Sequence, residues 1–182
     1  MKIFLLSLIL GILTIFNVSA DEKWFILLTG ENSGVKVSVN LTSALDADFD
    51  LDDKNDPDGI FLQVIISSKS DISFNYMADS MVFAYQDEMI KADLIPSHNN
   101  VQYPDELLPG TYSYFYIMLH YKNPKEIVDI IKRADKVIND SNGEKALDAE
   151  KLILNNFEAK FKIGLINTIE IPLKVEIIKH EQ

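Results

Sequence analysis

The chain has 182 residues, 47% of them hydrophobic, and no cysteine. That composition excludes a disordered or collagen-like chain, a disulfide scaffold, a thiolate nucleophile and a cysteine-ligated metal. Acidic residues outnumber basic ones 28 to 17, for a net charge of −11, which argues against the basic face that nucleic-acid phosphates or an anionic membrane surface require. Arg133 is the only arginine, so bidentate guanidinium recognition of phosphates is nearly absent.

Lys2 is the only charge in the first twenty residues, and the uncharged, mostly apolar run Ile3–Phe16 follows it. Small residues at Val18-Ser19-Ala20 precede the charged Asp21-Glu22. This is the pattern of a cleavable signal peptide over 1–20, cut after Ala20. The run is short for a membrane span of ~20 residues. The expectation is an exported domain over 21–182, placed in a periplasm, with release outside the cell as the alternative. No cysteine stands at the cleavage site, so a lipid anchor there is not available.

Trp24 to Thr29 is an apolar run of strand length, ended by Gly30 and the Asn32-Ser33-Gly34 turn cluster. Val35, Val37, Val39 and Leu41 alternate with polar residues, the period of a half-buried strand. Asp46 to Gly59 reads as a polar loop. Ile60 to Ser67 is nearly continuous in apolar residues, so it reads as a strand covered on both faces. Ile72, Phe74 and Tyr76 alternate again. Met81 to Met89 fits a short helix capped at Asp79-Ser80 or a strand, and the spacing does not decide. Pro96 to Pro109 reads as a loop and Pro109-Gly110 as a turn. Thr111 to Tyr121 is the clearest strand, with Tyr112, Tyr114 and Tyr116 on one face of the pleat and Phe115 and Ile117 on the other.

Asn123 to Asn139 carries helix signals: Asn123 as N-cap, Pro124 at the first position, Glu126 completing a capping box, and Ile127, Ile130, Ile131, Ala134 and Ile138 at helical spacing. Asn142-Gly143 stops it. Phe157 to Leu165 and Ile169 to Ile177 alternate cleanly, with a break between them that predicts a hairpin. Pro172 lacks a ladder donor, which predicts that the last strand is an edge or bulged. Strands dominate and no strand–helix alternation runs through the chain. The expected fold is therefore an antiparallel β-sandwich, transthyretin- or immunoglobulin-like, with a helical insertion over 123–156 and its helix at about 124–139.

No motif of a hydrolase, metalloprotease, P-loop or dinucleotide site is present. His98, His120 and His180 stand apart in sequence, and the pairs Asp87-Glu88 and Asp105-Glu106 read as solvated. The sequence thus points to a protein that is not an enzyme; a hydrolase would need a pocket holding His98 or His120 beside carboxylates. The sharpest feature is the acidic loop, where Asp46, Asp48, Asp50, Asp52, Asp53, Asp56 and Asp58 fall within thirteen residues. One reading is a partner-binding loop that steers a basic surface by long-range charge. The alternative is calcium ligation in a C2-like manner, with Asp48, Asp50 and Asp52 supplying hard oxygen ligands.

Three segments between Val35 and Leu119 resemble the outer-membrane lipoprotein family of type VI secretion systems. They are VKVSVNL leading to NDPDGIFLQVIIS, then ISFNYMADSMVFAYQDEMIKADLI, then ELLPGTYSYFYI. The resemblance implies a transthyretin-like sandwich in the periplasm that docks on a large secretion protein through the loop between its first two core strands, here Leu45 to Gly59. The lipidated cysteine of that family is missing, and the helix at Asn123–Asn139 falls where the family continues in strands. The function expected from these features is an exported protein-interaction module, an accessory of a type VI-like apparatus.

Overall fold

A computed structural model describes residues 23–46, 59–75, 77–86, 88–98, 101–121, 123–154, 157–163 and 169–179. The strands are β1 (Trp24–Asn32), β2 (Val35–Asn40), β3 (Gly59–Ser68), β4 (Ile72–Ser73), β5 (Ser80–Tyr85), β6 (Glu88–Ile95), β7 (Ser97–His98), β8 (Val101–Gln102), β9 (Glu106–Leu107), β10 (Tyr112–His120), β11 (Phe157–Ile163) and β12 (Ile169–Lys179). Three helices join them: α1 (Ser43–Asp46), α2 (Pro124–Asp140) and α3 (Ala146–Leu154).

The alternating segments become strands because one set of side chains fills an interior. Val35, Val37 and Val39 of β2, Met81, Phe83 and Tyr85 of β5, Phe115, Ile117 and Leu119 of β10, and Phe157, Ala159, Phe161 and Ile163 of β11 all belong to one buried core. The segment read as helix or strand is the hairpin β5–β6, turning through Gln86 at φ 46°.

That core is not the middle of a sandwich. Eight strands pair in the order β1-β12-β11-β5-β6-β10-β3-β2 and the ring closes, because β1 pairs antiparallel with both β12 and β2. The expected transthyretin- or immunoglobulin-like sandwich is therefore replaced by an antiparallel β-barrel. The period of two identifies inward side chains but is common to both architectures. Closure depends on long-range pairing, here of the first strand with the last. Eight strands give a lumen just wide enough for side chains to fill. Phe115 and Phe161 lie 6.1 Å apart in it, and Tyr85 and Phe157 lie 5.1 Å apart.

The closing seam has its own sequence requirement. A Cβ at Gly30 would stand 2.2 Å from the carbonyl oxygen of Pro172, so only glycine permits β1 and β12 to approach there. The expectation that Pro172 marks an edge strand is corrected as well, since β12 is paired on both sides. Its register with β1 runs only as far as Lys174, however, leaving Pro172 paired with Lys160 of β11 alone. The missing N–H falls where one ladder has already ended.

Both ends of the barrel are plugged. At the end where β10 stops, Tyr121 meets Tyr85 edge-on at 5.2 Å, and Ile127, Ile130, Ile131, Ala134 and Ile138 of α2 join the barrel core. Asn123 makes no side-chain capping bond, contrary to expectation; its Nδ2 lies 3.5 Å from Glu126 Oε2. The far end of α2 closes as its sequence predicts. Asn142 takes φ 47°, its N–H donates to Asn139 O at 3.0 Å, and Gly143 N–H donates to Ile138 O at 2.9 Å, the paired bonds of a Schellman motif.

At the opposite end β4 pairs with β9 and β7 with β8, and Phe74, Tyr103 and Leu107 enter the core. Tyr103 packs edge-on to Phe115 at 4.7 Å. Its hydroxyl donates to Asp79 Oδ2 at 2.8 Å, and the same oxygen accepts the Asn75 N–H at 2.8 Å. Burial, then the Asp79 carboxylate, push the Tyr103 phenol far above its ordinary range.

Candidate functional site

The acidic loop, from which function was expected, does not enter the geometry. Asp48, Asp50, Asp52, Asp53, Asp56 and Asp58 lie outside the described residues, and Asp46 is placed only as the last residue of α1. Among the described residues no group of three or more His, Cys, Asp or Glu side chains is arranged to hold a metal.

Of the three histidines only the His120 side chain is described. His120 Nε2 lies 2.9 Å from Asp93 Oδ2, a half-exposed pair between the adjacent strands β10 and β6. His98 is placed in β7 by its backbone only, and His180 lies outside the described residues. A recess along α2 is lined by Glu126, Asp129, Lys132, Arg133 and Lys136 and holds no histidine. The Tyr85 phenol is pushed up to about 12, by burial first and then by Glu126.

The distinctive geometry lies on the outside of the barrel. Strand register sets the outward side chains of β1, β2, β3 and β10 in rows. One row is Leu27, Asn40, Gln63 and Tyr116; the next is Thr29, Ser38, Ile65 and Tyr114. Phe61 and Met118 pair in a third row, and Glu31, Lys36, Ser67 and Tyr112 form a fourth. Charge in these rows is confined to Glu31 and Lys36 of the fourth. The other half of the wall is different, with Lys91 and Asp93 on β6, Glu158, Lys160 and Lys162 on β11, and Glu170, Lys174 and Glu176 on β12. There Lys160 and Lys162 both reach Glu170 at 3.2 Å and hold its carboxyl below the ordinary range.

The charge-poor part of this wall is also dehydrated. Phe25, Leu27 and Ile65 form a second apolar cluster, separate from the lumen, with Tyr114 and Ile178 packed against it. Ser38, Asn40, Gln63 and Ser67 are buried beside them. Neither amide atom of Asn40 has a hydrogen-bond partner, nor does Ser67 Oγ. Burial raises the Tyr116 phenol above its usual value, Tyr114 raises it further, and a bond from Gln63 works against both.

Such a surface offers apolar contact, amide and hydroxyl groups, and phenols at its margin. It carries no nucleophile–base pair. Aromatic residues with uncharged neighbours are the composition of protein-contact cores. Sequence reading placed Tyr112, Tyr114 and Tyr116 on one face and both faces of β3 under cover. It missed that Phe25, Leu27 and Asn40 share this surface, because that follows from register. The available signal was the unbroken apolar run Trp24–Leu28, which an ordinary half-exposed strand does not show.

No protein-family model matches the chain, and neither a curated protein nor a solved structure matches it. Among the described residues, no helix is long and apolar enough to cross a membrane.

Proposed function

We propose that this chain is an exported, non-enzymatic protein-interaction module that docks a partner of the cell envelope on the charge-poor wall of β1, β2, β3 and β10. One observation carries the reading: charge is unevenly distributed around the barrel, and the rows through Leu27, Thr29 and Phe61 on four adjacent strands hold apolar, amide, hydroxyl and phenol groups, with charge confined to Glu31 and Lys36 of the row beyond them. The side-chain-filled lumen supports it, since large aromatic residues occupy the space in which a barrel of this size would hold a small ligand.

The export step rests on residues 1–20, and the periplasm is its proposed destination. The acidic loop (Asp46, Asp48, Asp50, Asp52, Asp53, Asp56 and Asp58) adds long-range attraction toward a basic partner, which raises the association rate more than the final affinity. An accessory role in a type VI-like apparatus is a narrower form of the same proposal. It rests on the quoted segments alone, because the sandwich they imply is not the fold.

The test is affinity capture from native envelopes with the processed chain and two variants. Leu27→Asp places a carboxylate in the wall, and Lys160→Glu changes a charge on the opposite side. The expected outcome is a discrete partner held by the parent chain and by Lys160→Glu and lost with Leu27→Asp. Equal capture by all three refutes the wall as the contact surface.

A further inference from the structure

The outer face of α2 carries charge that the fold does not use. Ile127, Ile130, Ile131, Ala134 and Ile138 belong to the barrel core. Helical spacing then puts Glu126, Asp129, Lys132, Arg133 and Lys136 together on the opposite face. These five line a recess of about 440 Å³, within the ~300–1,000 Å³ of small-molecule sites.

The two carboxylates do not neutralise the three cations. Glu126 is engaged by the barrel, where it bonds the Tyr85 phenol; Gln86 Nε2 donates to the same phenol oxygen at 3.1 Å. Arg133 Nε reaches the backbone oxygen of Asp129 at 3.4 Å, not its carboxylate. Among the described residues, Lys132, Arg133 and Lys136 enter no ion pair. Lys132 and Lys136 stand four residues apart, the spacing at which like charges meet and destabilise a helix. With Arg133, the only arginine of the chain, they fall within about 100° of the helix circumference.

We propose that this recess binds a phosphate monoester, with the phosphate held by Lys132, Arg133 and Lys136 and the ester group lying along the recess. Charge matches: three cations less the Asp129 carboxylate leave a surplus of two, and a phosphate monoester carries close to two negative charges at neutral pH. Geometry matches too. The guanidinium is a planar fork suited to two phosphate oxygens, and the lysines add point charges. A dianion seated between Lys132 and Lys136 turns their repulsion into a shared attraction. The backbone of a nucleic acid is a poor occupant, because it brings a long array of negative charge to a chain of net charge −11. The helix is anchored by its apolar face, so the three cations are held on a rigid element. The site is separate from the wall of β1, β2, β3 and β10, and the two proposals stand or fall independently.

The test follows backbone amides of the full chain by NMR, with phenyl phosphate as probe and benzenesulfonate as its monoanionic counterpart. The expected result is a saturable shift over residues 126–136, with phenyl phosphate bound several-fold more tightly than benzenesulfonate and both weakened by added salt. Arg133→Gln and Lys136→Gln should each weaken phenyl phosphate several-fold, and Lys160→Gln, on β11, should leave it unchanged. Asp129→Asn removes the opposing carboxylate and should tighten binding several-fold, a gain that loss of structure cannot imitate. No saturable shift in α2, equal affinity for the two probes, or affinity indifferent to both Arg133→Gln and Asp129→Asn overturns the proposal. Inorganic phosphate binding as tightly as phenyl phosphate also overturns it, because the recess would then contact no ester group.

Discussion

Gly143→Ala tests how the helical plug is fixed to the barrel. Gly143 sits at φ 86°, and a Cβ there would lie 2.1 Å from Trp24 Cζ2 and 2.4 Å from Cη2. The backbone conformation costs an L-residue about 1–2 kcal/mol, and forcing the indole aside adds the ~1–3 kcal/mol typical of overpacking. Together these predict a destabilisation of about 2–5 kcal/mol. For a denaturant dependence of ~2 kcal/mol per molar urea, the midpoint falls by roughly 1–2 M. Trp24 is the only tryptophan, so its emission reports on the contact directly, and its maximum should shift as the ring is displaced. Trp24→Leu is expected to recover part of the loss in the double variant, because the steric component disappears while the backbone component remains. A Gly143→Ala variant with unchanged midpoint and unchanged emission refutes the packing of the α2–α3 turn against β1.

Other outcomes follow from the same structure. Tyr103→Phe removes the donor to the buried Asp79 and should cost about 1–3 kcal/mol in urea unfolding; a neutral result would mean that the second plug does not depend on this bond. The Tyr85 and Tyr103 phenols both titrate above their ordinary value when folded, so the fold favours their protonated forms. Their contribution to stability is fully present below pH 10 and falls as pH rises from 10 towards about 12, the folded value for Tyr85. Unfolding midpoints at stepwise alkaline pH check this, and Tyr85→Phe should flatten the fall in that window. Calcium titration by calorimetry is expected to give no heat that depends on Asp48 or Asp52; micromolar binding lost in Asp48→Ala and Asp52→Ala would establish the calcium reading instead.

Local pattern was legible and long-range pairing was not. The alternation of Phe157, Ala159, Phe161 and Ile163 placed β11 and its inward face, and the Asn142-Gly143 pair placed the end of α2, because both depend on neighbours in sequence. The sandwich was the wrong inference from correct strands. Nothing in the alternation states that Trp24 pairs with Lys179, and Gly30 signals closure only once Pro172 is known to lie against it. Pro172 suggested an edge because a missing N–H usually marks one; here the β1 ladder ends at Lys174, short of it. The contact wall was half legible. Its tyrosines were visible as a row, whereas its centre at Leu27, Asn40 and Ile65 is assembled from three strands by register. The acidic loop was the most conspicuous feature of the sequence, and six of its seven aspartates lie outside the described residues.

The central claim is that the charge-poor wall is where a partner docks once residues 1–20 are gone. The most direct measurement is site-specific photocrosslinking in intact cells of the native host, with the photoreactive residue placed at Tyr114 in the wall or at Lys160 opposite. The account predicts a discrete crosslinked product from Tyr114 that Leu27→Asp abolishes, and none from Lys160. A product from Lys160 alone, or one from Tyr114 that persists with Leu27→Asp, contradicts it.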